Sequence, residues 1–75
     1  MGGILVVWFQ IYEVNACGRA TGYKVMKGRQ QVGTLEYRDR CWIGAVTQGV
    51  KIVMKQDVSV RNVVDWVVKT TTHEK

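Results

Sequence analysis

Four valines near the end of the chain constrain its fold more than any other feature. Val60, Val63, Val64 and Val67 recur at i, i+3, i+4 and i+7, a spacing that places them on one face of a helix. Asn62, Asp65 and Lys69 fall on the opposite side. Ser59 stands where an N-cap accepts from the free N–H groups of the first turn. Val58 and Val63 hold the two positions of a hydrophobic staple. The pattern predicts a helix over residues 59–69. Valine loses rotamer freedom in a helix, so this one forms only where a sheet receives its apolar face.

Residues 23–55 supply that sheet. Tyr23-Lys24-Val25-Met26-Lys27 and Gln31-Val32-Gly33-Thr34-Leu35-Glu36-Tyr37 flank a Gly28-Arg29 turn and read as a hairpin. Gly33, inside the second run, marks a bulge or a close approach by a neighbour. Arg38-Asp39-Arg40 is the next turn, Cys41-Trp42-Ile43-Gly44-Ala45-Val46 the next strand, and Thr47-Gln48-Gly49 a further turn. In the last strand, residues 50–55, Val50, Ile52 and Met54 alternate with Lys51, Val53 and Lys55. Consecutive strands joined by tight turns, with a helix at the end, make an α+β fold. The expected architecture is a small antiparallel meander of four to five strands with one C-terminal helix packed across one face. Residues 70–75 contain no apolar side chain and no cap, and are expected to fray.

Residues 1–14 are the most apolar stretch and are expected to form an N-terminal strand over residues 4–14. Periodicity alone leaves a short buried helix open for the first half, residues 4–9. Both alternating sets are apolar: Ile4, Val6 and Trp8 on one side, Leu5, Val7, Phe9 and Ile11 on the other. Such a strand is either central and covered on both faces, or covered by a second subunit. Its unbroken apolar run is far short of the ~20 residues that span a bilayer. It also lacks the basic start and small-residue cleavage site of a signal peptide. The loop Asn15-Ala16-Cys17-Gly18-Arg19-Ala20-Thr21-Gly22 contains two glycines but matches no phosphate-binding fingerprint.

A chain of 75 residues is one small domain, residues 1–75, and buries only about 60% of its unfolded surface. No large internal substrate cavity is expected. Catalysis has little to work with. General acid–base chemistry calls for a histidine or a carboxylate pair in a cleft, and the only histidine, His73, lies in the polar tail. Glu36 and Asp39 sit near a turn and read as solvated, and neither Cys17 nor Cys41 has a base placed to activate it. The two cysteines and one histidine do not make a zinc site. We therefore expect a non-enzymatic protein without cofactor or metal. Its thiols should be reduced, as in a cytoplasmic protein, with one disulfide only if the two cysteines meet.

Eleven Lys and Arg against six Asp and Glu give a net charge of +5, which favours anionic partners. Lys24, Arg29, Arg38, Arg40, Lys51 and Lys55 lie on predicted strands or turns and are the candidate nucleic-acid-binding residues. An open sheet face carrying Lys51 and Lys55 and rimmed by the turn arginines would neutralise phosphates. Tyr37 and Trp42 lie near these basic residues, as in single-strand stacking sites, although Trp42 reads as core. In element order, residues 31–69 resemble plant AP2-type domains and the arm-binding domains of some integrases. That resemblance implies a sheet that enters a duplex groove. The leading expectation is thus a nucleic-acid-binding domain. The alternative is a protein–protein interaction module, an inhibitor or accessory subunit, acting as a homodimer through its N-terminal strand. It rests on Trp8, Phe9, Ile11, Tyr12 and Trp66, which offer more apolar area than one sheet and one helix need to bury.

Overall fold

The computed structural model of the chain describes residues 6–72. Five strands and one helix follow in order: β1 (Val7–Val14), β2 (Ala20–Lys27), β3 (Gln30–Arg38), β4 (Cys41–Gln48), β5 (Lys51–Asp57) and α1 (Val60–Thr72). The sheet is an antiparallel meander in the order β1-β2-β3-β4-β5, with α1 packed against one face. This is the α+β architecture that the strand and helix patterns predict. The expected positions Ile4 and Leu5, and the tail His73-Glu74-Lys75, lie outside the described residues.

Two-residue turns set the register. Lys27 pairs with Gln30, Arg38 with Cys41 and Gln48 with Lys51. Asp39 and Arg40 both have positive φ, 55° and 67°, the pattern of the type I′ turn that suits the twist of a hairpin. Val50, expected to open the last strand, sits in the turn with Gly49. A bulge interrupts the β2–β3 ladder, where Val25 faces Gly33 but Met26 faces Gln31. A Cβ at Gly33 would collide with the Ala45 carbonyl oxygen, so both roles expected for this glycine coincide.

Cross-strand partners share a face, so the ladder sorts the sheet into two sides. Towards the helix lie Phe9, Val25, Gly33, Val46 and Val53 in one row, and Ile11, Tyr23, Leu35, Gly44 and Lys55 in the next. Val25, Leu35, Val46, Val63 and Val67 are buried and form the core. Gly44 lies directly beneath the helix: a Cβ there would stand 2.8 Å from Val63 Cγ1 and 2.9 Å from Val67 Cγ2. Trp42 packs at the edge of this core, its ring 6.2 Å from Tyr23 and 5.2 Å from Tyr37.

The helix begins as its sequence predicts. Ser59 Oγ accepts from the Asn62 N–H at 3.4 Å, and Asp57 accepts from the Ser59 N–H at 2.8 Å. Val63 and Val67 are buried, whereas Val58 is exposed and adds little as a staple. At the other end the structure corrects the sequence-based expectation. Residues 70–72 are helical rather than frayed, and Thr71 is only 7% exposed. Thr71 Oγ1 donates back to the Val67 carbonyl at 2.9 Å, and Lys27 Nζ donates to the Thr71 carbonyl at 2.9 Å. A cation on β2 thereby caps the last turn, where carbonyls lack intrahelical donors.

Candidate functional site

α1 starts beside the end of β5 and finishes beside Lys27, so it crosses the sheet diagonally. It leaves three surfaces: the open sheet face, the β1 edge, and a groove along β5.

The open face is built from the residues that alternate with the core. Its rows are Trp8, Met26 and Gln31; then Gln10, Lys24, Thr34, Ala45 and Met54; then Glu13, Gly22, Glu36, Ile43 and Gln56. Ile52 lies on it opposite Thr47. Ile52 and Met54 are 68% and 64% exposed, and Trp8 is 42% exposed. The charges on this face cancel, with Lys24 and Arg38 against Glu13 and Glu36. Arg38 Nη1 lies 3.0 Å from Glu13 Oε1, and its Nη2 lies 3.6 Å from Glu36 Oε1.

This arrangement corrects the expected basic face. Lys51 and Lys55 flank Val53, and Val53 packs on the core, so both lysines are on the helix side. The open side of β5 carries Ile52 and Met54 instead. The reason lies in β4, whose Gly44 and Val46 face the helix and whose partners are Lys55 and Val53. Arg29 and Arg40 lie in turns at opposite ends of β3, about 30 Å apart at ~3.3 Å per residue. The six candidate nucleic-acid residues therefore form no single patch. Lys51 and Lys55 share the helix side of β5, and Lys24 and Arg38 share the open face.

The apolar candidates also divide. β1 is an edge strand, so it is not the central strand that its two apolar faces allowed. Phe9 turns inward, its ring edge-on to Tyr23 at 6.3 Å, and adds nothing to an exposed patch. Trp8 stays on the open side and donates from Nε1 to the Gly28 carbonyl at 2.8 Å. Ile11 faces the helix side beyond the reach of α1 and is 54% exposed. Tyr12 occupies a β-bulge, since Ile11 pairs with Tyr23 and Glu13 with Gly22. Trp66 is far from this set, on the flank of α1 that faces β5.

There Gln48, Val53, Trp66, Lys69, Thr70 and Thr72 line an open groove of about 660 Å³. Lys51, cross-strand from Gln48, and Lys55 extend along the same side of β5. Lys69 was not among the sequence-based candidates. Its spacing of three residues from Trp66 placed it on the same flank of the helix, but the groove exists only because β5 turns its lysine side inward.

Among the described residues no cluster of three or more His, Cys, Asp or Glu is placed to hold a metal ion, and Cys17 and Cys41 are unpaired. The Asn15 loop is closed by its own side chain, with Oδ1 accepting from the Cys17 and Arg19 N–H groups at 2.9 and 3.0 Å. No described helix is long and apolar enough to cross a membrane. Compared with protein-family models, curated proteins and solved structures, the chain matches none.

Proposed function

We propose that this protein is a non-enzymatic interaction module that pairs with a second copy of itself through β1 and offers the exposed Ile52 and Met54 of its open sheet face to a protein partner. One observation carries this reading: β1 is an edge strand with apolar side chains on both faces, and over residues 7–11 no charge, proline or bulge and no described element guards it. An edge presents unpaired N–H and C=O groups, and proteins normally blunt such edges with lysine, proline or a covering element. β5, the other edge, has Lys51 and Lys55. β1 has no basic residue and no proline over Val7–Val14. Its bulge at Tyr12 leaves the stretch before it regular.

Pairing of β1 with its copy about a two-fold axis would join two five-stranded sheets and cover Ile11 and Val14. The open faces of both copies, with Trp8, Ile52 and Met54, would then lie on a continuous surface. Ile52 and Met54, 68% and 64% exposed and two residues apart on β5, are the adjoining apolar pair on it, and exposed apolar area marks interaction sites. The unpaired thiols accord with a reducing compartment such as the cytoplasm. Sedimentation velocity across the micromolar range tests the assembly. A dimer is expected throughout, and a protein that remains monomeric at the highest concentration would refute the proposal.

A further inference from the structure

We infer that the groove between β5 and the last two turns of α1 binds a single-stranded nucleic acid, with phosphates on Lys51, Lys55 and Lys69 and a base against Trp66. The groove is a different surface from the β1 edge, so this site does not depend on dimer formation.

Charge points to the occupant. Lys69 lines the groove, Lys51 lies cross-strand from its Gln48, and Lys55 stands further along the same side of β5; among the described residues none of the three is in an ion pair. The nearest carboxylate along β5, Asp57, caps the helix through the Ser59 N–H and the Asn62 amide and also feels the charge of Lys55, which leaves Lys51 as the lysine of β5 farthest from it. The lining of the groove itself contains no carboxylate, and Asp65 stands one turn before Lys69 on α1, in contrast to the open face, where Glu13 and Glu36 match the cations. Lys51 and Lys55 are separated by about 13 Å along the strand at ~3.3 Å per residue, which suits an extended chain carrying repeated charge.

Trp66 favours a nucleic acid over an acidic peptide. It is half-buried, with Cζ3 3.5 Å from the position of a Cβ on Gly44, so its indole is held in place while part of it lines the groove. A held aromatic beside cations is the arrangement that stacks bases without regard to sequence, because every base has a π face.

Fluorescence anisotropy with labelled oligo-dT and oligo-U, from about 50 to 200 mM salt, provides the test. Binding should weaken steeply with salt. Lys51→Gln with Lys69→Gln should flatten the log–log slope by about 1.4, at roughly 0.7 per single-strand phosphate, with an unchanged melting temperature. Trp66→Leu, which keeps apolar packing, should weaken binding roughly tenfold and leave the slope in place. Sedimentation of the lysine variant should match the parent, which separates failure here from failure of the β1 interface. Three results would overturn the inference: no binding at the lowest salt, full binding by the double lysine variant, or equal affinity for poly-glutamate.

Discussion

Val63 rests on the backbone of Gly44, so closely that a methyl group at that glycine would stand 2.8 Å from Val63 Cγ1. Glycine in a strand interior normally weakens it. Here it lets the helix approach the sheet, and Val67 meets the same position at 2.9 Å. Both valines are β-branched and confined at χ1, so neither can swing aside. Gly44→Ala should therefore lift the helix and cost roughly 1–3 kcal/mol by overpacking. Chemical denaturation would show it as a lower midpoint with an unchanged slope.

Val67→Ala acts on the same contact from the other side. It removes two buried methyl groups and leaves a cavity over Gly44, for roughly 1–3 kcal/mol. A variant as stable as the parent would mean that the helix does not seat on this row.

The helix cap makes stability depend on pH. Bonds from the Ser59 N–H and then from the Asn62 amide hold the Asp57 carboxyl below its ordinary value of 3.8. A folded value below the unfolded one stabilises the fold fully above 3.8, and that contribution is lost as the pH falls through the folded value. Asp57→Asn should melt below the parent at neutral pH, and the two melting temperatures should converge in acid. A gap that stays constant down to strongly acidic pH would show that Asp57 is not the group responsible.

What the sequence disclosed and what it hid follow from separate causes. The helix face was legible because Val60, Val63, Val64 and Val67 are local and periodic, and Ser59 marks their start. The meander was legible from its turns. The side of β5 that meets the helix was not, because Val50, Ile52 and Met54 form as apolar a set as any core-facing strand. That choice was made two strands away, where Gly33 and the bulge at Val32 fix which residues of β4 face inward. A lysine opposite Gly44 is tolerated because its aliphatic stem can lie along apolar surface while the ammonium reaches water. The helical Thr70-Thr71-Thr72 was hidden for a similar reason, since its cap comes from Lys27, 44 residues away.

The β3–β4 turn carries a conformational cost that can be removed. Arg40 has a φ of 67°, a left-handed conformation that costs a residue with a Cβ roughly 1–2 kcal/mol. Glycine is free of that penalty but loses more backbone entropy on folding. Arg40→Gly should raise stability by about 0.5–1 kcal/mol, the difference between these effects. The same variant should leave oligonucleotide affinity unchanged, because Arg40 lies far from the β5 groove. A loss of affinity would return the turn arginines to the binding surface.

The β1 edge can be tested by placing on it the charge that β5 already has. Ile11 is 54% exposed, so Ile11→Lys removes little from the core of one chain. In a two-fold β1 pair, however, residue 11 lies near the middle of the strand, and two copies of the new ammonium would come close together. Like charges facing each other across strands are destabilising, and desolvating them at an interface adds to that cost. Ile11→Lys should sediment as a folded monomer at concentrations where the parent is a dimer. Its melting temperature should also stop rising with protein concentration, since only an assembly shows that dependence. Ile52→Lys is the control: it adds the same charge to the open face of β5 and should leave the dimer intact. If Ile11→Lys still pairs, or if Ile52→Lys dissociates as readily, β1 is not the interface.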